Sequence, residues 1–141
     1  MILLIEDNQT DIELTRRAFI KGNIDSELVV KEDGQEALNY LFGAESSTSA
    51  AVSVLPDLIL LDLKMPKISG LEVLRHIRQN ARTRRIPVVV LTSSVEESDL
   101  AAAYNLCANS YIRKPVDFKE FVDAVKALCH YWLELNEPSP L

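Results

Sequence analysis

Short runs of apolar residues alternate along the chain with longer segments in which apolar residues recur every three or four positions. Short apolar runs are typical of buried β-strands, and the longer periodic segments are typical of amphipathic helices. The predicted strands are residues 2–5, 27–31, 57–62, 86–91 and 110–112. Successive strand–helix units of this kind predict an α/β fold, in which a doubly wound parallel sheet of five strands is covered by five helices.

Each predicted helix is preceded by a polar residue that can cap its N-terminus. Thr10, Ser69 and Ser94 are each followed three positions later by glutamate, which is the capping-box pattern. The residues expected to cap the helices are Thr10, Asp33, Ser69, Ser94 and Asp117. The last helix is expected to be the longest and to end near Leu135.

Composition narrows the class of protein further. A chain of 141 residues that is 48% hydrophobic suits one domain with a substantial core. Its net charge of −6 argues against nucleic-acid binding as the main task, and the one basic cluster, residues 82–85, is short. Cys107 and Cys129 lie in apolar helical contexts and are expected to be free thiols. No apolar run is long enough to cross a membrane, so we expect a cytoplasmic protein.

One connection is much longer than the others. It extends from Ala44 to Pro56 and is rich in serine and alanine. We expect a surface loop without chemistry there.

Acidic residues follow two of the predicted strands. Asp62 ends the third strand, and Glu6 and Asp7 follow the first. Because parallel strands end at the same edge of a sheet, we expect these carboxylates to lie together. Carboxylates this close repel one another unless a cation relieves the repulsion. Oxygen ligands without histidine or cysteine favour Mg²⁺ or Mn²⁺, so the sequence predicts such a site.

The fourth and fifth strands lead into a hydroxyl and an ammonium, those of Thr92 and Lys114. A cation, an ammonium and a hydroxyl around one carboxylate form a receptor for a phosphoryl group, whose transfer depends on positioning and charge neutralisation. Asp62 would be the nucleophile and would become an aspartyl phosphate.

At these positions the sequence resembles the receiver domains of two-component response regulators. The resemblance covers essentially the whole chain and is carried by Glu6–Asp7, Asp62 with Met65–Pro66 and Gly70, Thr92–Ser93 and Lys114–Pro115. It implies a flavodoxin-like sheet with the strand order 2-1-3-4-5. It also implies that residues 1–141 are a single receiver domain without an effector domain, which catalyses its own phosphorylation and dephosphorylation rather than acting as an enzyme on other substrates.

The resemblance assigns a role to each metal-site residue. It implies that Asp7 and Asp62 bind Mg²⁺ directly and that Glu6 acts mainly through water. The backbone carbonyl of Lys64 is expected to supply a further ligand.

The resemblance also assigns the phosphoryl site and the switch. Asp62 is expected to accept the phosphoryl group from a histidine kinase or phosphotransfer protein, with Thr92 and Lys114 binding its oxygens. Tyr111 is expected to rotate inward when Thr92 moves. The peptide bond between Lys114 and Pro115 resembles the family's cis bond.

Output is expected to be a protein-interaction surface formed by the fourth helix, fifth strand and fifth helix. The last helix carries a second apolar stripe beside the one that covers the sheet, made of Ala124, Ala127, Tyr131 and Leu135. This surplus indicates a partner or a homodimer, or else a broad, well-buried helix. The chain also resembles the small stand-alone regulators that partner phytochrome-type histidine kinases, which implies a homodimer through this face. No nucleic-acid or membrane partner is expected.

Three other functions stay open. A metal-dependent phosphatase with an aspartyl nucleophile needs a second acid two residues later, where this chain has Lys64. A flavodoxin-type binding module needs a phosphate loop, but residues 6–9 are acidic and would repel phosphate without a metal. A degenerate receiver could be a constitutive scaffold, although all five key residues are present.

Overall fold

The computed structural model describes residues 1–43 and 54–140, and most of the predicted long connection lies outside these ranges. Strands and helices alternate throughout. In chain order they are β1 (Ile2–Ile5), α1 (Gln9–Lys21), β2 (Leu28–Lys31), α2 (Gly34–Phe42), β3 (Leu58–Leu61), α3 (Gly70–Gln79), β4 (Val88–Thr92), α4 (Glu97–Asn105), β5 (Ser110–Arg113) and α5 (Phe118–Cys129). A π-helical segment, His130–Leu135, continues α5.

The sheet has the strand order β2-β1-β3-β4-β5, and every neighbouring pair is parallel. The predicted fold class and strand order are therefore confirmed. Ile5 pairs with Leu61 across β1 and β3. The residues that follow, Glu6 and Asp62, thus leave the sheet at the same level. The ladder continues to Asp62, whose N–H donates to the carbonyl of Ile5 at 3.0 Å.

The three central strands, β1, β3 and β4, have no exposed side chain. Successive residues of a strand point to opposite faces, so these strands divide their side chains between two cores. One core contains Leu3, Ile59 and Val90 with residues of α2, α3 and α4. The other contains Leu4 and Leu60 with residues of α1 and α5. Helices therefore cover both faces of the sheet, as the sequence predicts.

Three of the expected caps are confirmed. The side chains of Asp33, Ser69 and Asp117 accept hydrogen bonds from the backbone N–H three residues later. The expected cap of α1 is wrong. Asn8 is the N-cap, with its side chain accepting from the N–H of Asp11 at 3.0 Å, so that Thr10 falls inside the first turn.

The expected capping box at Ser94 is also wrong. α4 begins at Glu97, and its N-cap residue, Glu96, makes no side-chain cap. The Ser94 hydroxyl instead donates to Asp99 Oδ2 at 2.6 Å and accepts from the N–H of Glu96 at 3.3 Å. It therefore ties the β4–α4 loop to the first turn of the helix.

The α-helical part of α5 is shorter than expected, since it ends at Cys129 and not near Leu135. Beyond it the hydrogen bonds span five residues, as in the bond of 2.7 Å from the N–H of Asn136 to the carbonyl of Tyr131. The wider turn changes which side chains face the sheet. Trp132 still packs against the core, whereas Tyr131 and Leu135 are 48% and 61% exposed.

Both cysteines are free thiols, as predicted. Cys107 is exposed, and burial raises the pKa of Cys129 to about 12. None of the helices in the described ranges combines the length and the apolar composition needed to cross a bilayer.

Candidate functional site

Three carboxylates meet at the carboxyl edge of the sheet. Glu6, Asp7 and Asp62 each place one oxygen within 4.8 Å of the others. Glu6 and Asp62 are only 2% and 6% exposed, and Asp7 is half-buried. The cluster predicted from the strand ends is therefore formed.

The cluster fits a hard cation. Within the described part of the chain, Oδ1 of Asp62 is buried and accepts no hydrogen bond. A buried carboxylate oxygen without a partner is costly, and a cation would satisfy it. The donor set contains only oxygen ligands, which suits Mg²⁺ or Mn²⁺ better than zinc.

The Lys114 ammonium lies among these acids. It is 2.5 Å from Glu6 Oε1, 2.7 Å from Asp11 Oδ2 and 3.9 Å from Asp62 Oδ2. The backbone positions it, because the N–H of Lys114 donates to the carbonyl of Thr92 at 2.8 Å. Burial alone would lower the pKa of Lys114, but the hydrogen bonds to Asp11 and Glu6 outweigh it, so the pKa is raised.

Sequence reasoning missed Asp11. This residue follows no strand; it lies in the first turn of α1, four positions after Asp7. The argument from strand ends excluded it, because Asp11 reaches the site from a helix.

Burial raises the pKa of Glu6 from 4.5 to about 8, with a smaller contribution from Asp62, while Lys114 acts in the opposite direction. Burial therefore increases the affinity of Glu6 for a proton in the metal-free site. A cation competes with that proton, because it favours the charged form of each carboxylate.

Thr92 and Tyr111 both bond to Ser94. The hydroxyl of Thr92, which is fully buried, accepts from the N–H of Ser94 at 3.3 Å. The hydroxyl of Tyr111, a half-buried residue, donates to the carbonyl of Ser94 at 3.3 Å. The two residues proposed as a switch are thus joined through one loop residue.

The Lys64 side chain is directed to α4. Its ammonium lies 3.0 Å from Asp99 Oδ2 and 3.8 Å from Glu96 Oε2. The hydrogen bond from Ser94, followed by that from Lys64, lowers the pKa of Asp99. These contacts connect the loop after Asp62 to the start of α4.

The implied cis peptide bond is not found. Among the described residues all peptide bonds are trans, including the one between Lys114 and Pro115. Trans is the form that X–Pro bonds generally favour.

A shallow cleft of about 520 Å³ opens over these groups. Its lining residues are Asp7, Asn8, Gln9, Thr10, Asp11, Asp62, Lys64, Ser93 and Lys114. Through this cleft, small anionic donors can reach Asp62 from solvent.

Gly70 permits the geometry of the loop that follows Asp62, since a Cβ there would lie 2.1 Å from the carbonyl oxygen of Asp62.

Comparison with known proteins decides the family. The profile of the response regulator receiver domain matches residues 2–126. The chain belongs to the response regulator receiver domain family. It is 40% identical over 141 residues to the probable methanogenesis regulatory protein FilR2 of Methanothrix harundinacea, covering 99% of this chain and 88% of that protein. It is also 40% identical over 134 residues to the response regulator Rcp1 of Synechocystis, covering 95% and 89%.

Two solved structures of receiver-domain regulators are closely similar. The phosphorylated cyanobacterial phytochrome response regulator RcpA has a TM-score of 0.87 and 38% identity, covering 99% of this chain and 97% of that chain. The Mn²⁺-bound form of Rcp1 has a TM-score of 0.84 and 39% identity, covering 98% and 97%. This receiver domain is therefore similar to regulators seen with a phosphoryl group and with a metal.

Proposed function

We propose that this receiver domain accepts a phosphoryl group on Asp62 from a histidine kinase or phosphotransfer protein and then changes a protein-interaction surface. One observation carries the assignment: Asp62 is a buried carboxylate with an unpartnered oxygen, inside an acidic cluster and 3.9 Å from an ammonium. Membership of the family and the phosphorylated state of RcpA support it.

The metal is proposed to be Mg²⁺, with Mn²⁺ as a substitute. Asp7 and Asp62 would bind it directly, Glu6 through water, and the backbone carbonyl of Lys64 would add a ligand. When bound, the cation supplies positive charge between the acids and the incoming phosphoryl group. The unpartnered oxygen of Asp62 and the Mn²⁺-bound form of Rcp1 support this site.

In the transfer step, a carboxylate oxygen of Asp62 forms a bond to phosphorus. The bond from phosphorus to the donor atom breaks, and that atom leaves with the electron pair. Lys114 and Thr92 would bind the phosphoryl oxygens. In this structure Lys114 is bonded to Glu6 and Thr92 to Ser94, and each would move toward the phosphoryl group.

The movement of Thr92 provides the switch. When its hydroxyl leaves the N–H of Ser94, the loop that holds Tyr111 changes, and the ring can turn inward. The surface formed by α4, β5 and α5 would report this change. Three exposed side chains on or beside these elements support an interface: Val95, Tyr104 and Val116, at 67%, 49% and 104% exposure.

A homodimer through this face and a phytochrome-type kinase as phosphodonor are the finer parts of the proposal. Exposed Tyr131 and Leu135 extend the apolar surface along the end of α5. The similarity to RcpA and Rcp1 supports the kinase type, although FilR2, a relative of similar identity, is a probable methanogenesis regulatory protein. Loss of the phosphoryl group to water would reset the domain.

The test is phosphorylation by acetyl phosphate with Mg²⁺, followed by intact-mass measurement. Wild-type protein is expected to gain one phosphoryl group, and Asp62→Asn is expected to gain none. Asp25→Asn is the matched control, since Asp25 is exposed and outside the cleft. Chelation of the metal is expected to prevent labelling. Absence of labelling in wild type, or equal labelling of Asp62→Asn, would refute the proposal.

A further inference from the structure

The side chain of Asp11 contacts the phosphoryl-binding lysine and takes no part in capping its helix. Asp11 Oδ2 lies 2.7 Å from Lys114 Nζ. Its backbone makes the local contacts: the N–H donates to Asn8 Oδ1, and the carbonyl accepts from the Thr15 hydroxyl. A substitution at position 11 can therefore remove the carboxylate and leave the helix start intact.

The Lys114 ammonium is held away from the nucleophile. Its distance to Asp62 Oδ2 is 3.9 Å, which is an ion pair but too long for a hydrogen bond. Its distances to Glu6 and Asp11 are 2.5 Å and 2.7 Å. Two of the three N–H donors of the ammonium are already committed to Glu6 and Asp11, so a phosphoryl group on Asp62 would share the ammonium with two carboxylates.

Asp11 differs from the other acids because it is outside the metal-binding cluster. The cluster consists of Glu6, Asp7 and Asp62. A cation bound there would neutralise part of the negative charge of those three carboxylates, whereas Asp11 would keep its full negative charge. The Asp11 side chain is also more exposed, at 25%, than those of Glu6 and Asp62, at 3% and 7%. Once the cation is bound, Asp11 is the carboxylate left to compete for Lys114.

We propose that Asp11 is a positioning residue that competes with the phosphoryl group for the Lys114 ammonium and thereby restrains phosphorylation of Asp62. The inference rests on the proposed function of Asp62. It makes Asp11 a determinant of how readily the domain is phosphorylated, without a contact to the reacting atoms.

The kinetic experiment compares Asp11→Asn with wild type at saturating Mg²⁺ over a range of acetyl phosphate concentrations. A freed Lys114 binds the transferring group more strongly, so the maximal rate is expected to rise roughly three- to tenfold, the scale of the net contribution of one ordinary hydrogen bond. Asp11→Ala should also accelerate the reaction, and Asp11→Glu should return it toward wild type. Glu13→Gln removes one exposed charge from the same helix and should change the rate less than about twofold.

A second measurement titrates the variants with beryllofluoride, a phosphoryl analogue, at saturating Mg²⁺. It reports binding at the Asp62 site without a covalent step, so Asp11→Asn should bind the analogue more tightly than wild type or Glu13→Gln. A purely structural role would change thermal stability without this difference.

The outcomes separate the two proposals. If wild type is labelled on Asp62 and Asp11→Asn is equal or slower, the restraint by Asp11 is refuted and the proposed function stands. Equal affinity for beryllofluoride in all variants also refutes the restraint. If wild type is not labelled on Asp62 at all, the proposed function fails and the inference fails with it.

Discussion

The hydroxyl of Tyr111 donates a hydrogen bond of 3.3 Å to the backbone carbonyl of Ser94. The N–H of the same residue donates to the hydroxyl of Thr92. The position of the tyrosine ring and the availability of the threonine hydroxyl therefore depend on one short loop between β4 and α4. A change at either residue is therefore transmitted to the other through the backbone of Ser94.

Replacing Tyr111 by phenylalanine tests this connection. The variant loses one neutral hydrogen bond of a half-buried group, so the free energy of unfolding should fall by about 0.5–1.5 kcal/mol. The lost bond stabilises the position that the Tyr111 ring has in this structure, so its removal should favour the inward position of the proposed switch. Affinity for beryllofluoride, a phosphoryl analogue, is expected to rise severalfold, measured by titration with Mg²⁺ present. Tyr104→Phe, on the exposed side of α4, is the control, and weaker binding by Tyr111→Phe would contradict the proposed switch.

Arg78 is predicted to be a structural residue and not a functional one. Its guanidinium donates to the carbonyls of Cys107, Arg84 and Ile86 and to Asn109 Oδ1, which joins α3 to the segments that precede β4 and β5. Arg78→Ala should lower the free energy of unfolding in urea by about 1–3 kcal/mol, because four acceptors lose a shared charged donor. Arg78→Lys should not restore it, since one ammonium cannot reproduce the planar set of donors.

Arg75→Ala is the matched control on the same helix. Arg75 makes an exposed ion pair with Glu72 three positions earlier. Loss of this pair should lower the free energy of unfolding by less than about 0.5 kcal/mol. Phosphorylation of Asp62 by acetyl phosphate should remain near the wild-type rate in both variants. Equal stability of Arg75→Ala and Arg78→Ala would show that the Arg78 contacts contribute nothing.

The raised pKa of Glu6 predicts a pH dependence of stability. The folded-state pKa is about 8 and the ordinary value is 4.5, so the folded protein binds the proton more tightly than the unfolded chain. The stabilisation is complete below the ordinary pKa and is lost as the pH rises toward the folded-state value. Metal-free protein should therefore lose on the order of 2–4 kcal/mol between about pH 5 and pH 8.

Thermal unfolding in chelator across this pH range measures the effect. Glu6→Gln should flatten the profile, whereas Glu13→Gln should keep the wild-type slope. Saturating Mg²⁺ should raise the melting temperature most at the alkaline end, where Glu6 is ionised. A metal-free wild-type profile that rises with pH through this window would show that Glu6 is not protonated in the folded state.

Gly70→Ala is predicted to damage both stability and the site. The added methyl would lie 2.1 Å from the carbonyl oxygen of Asp62 and 2.7 Å from Leu63 Cα, and these backbone atoms cannot move without shifting Asp62. We expect destabilisation of about 3 kcal/mol in urea and slower phosphorylation. At Gly22 the methyl would lie 2.6 Å from the flexible Lys126 side chain and 2.9 Å from the carbonyl oxygen of Ala18, so Gly22→Ala should be milder. Equal effects of the two substitutions would contradict this reasoning.

The strands could be predicted because both faces of the sheet are buried, whereas their order followed from the resemblance to receiver domains. A run such as residues 58–61 has no polar position and is bounded by acids, which indicates a central parallel strand. The acids at the strand ends followed from the same argument. The expected caps at Thr10 and Ser94 were wrong because other polar groups lie close by. Asn8 reaches the first turn before Thr10, and Asp99 takes the Ser94 hydroxyl.

Asp11 and the π-helical segment were missed for other reasons. The contact between Asp11 and Lys114 joins residues 103 positions apart, and only the crossing of α1 over the sheet edge brings them together. The segment from His130 to Leu135 has apolar residues that fit an α-helix as well as a π-helix. Hydrogen-bond spacing there depends on packing against the core, which local sequence does not specify.

Because β1, β3 and β4 are completely buried, changes in chemistry and changes in partner recognition affect different residues. These strands position the acids, but they offer no side chain that another protein could contact. Substitutions that alter which partner the domain recognises must therefore fall on the helices, the loops and the two outer strands. A lineage can in this way acquire a new kinase or a new target while its phosphoryl chemistry is inherited unchanged, and an engineer can reprogram one without disturbing the other.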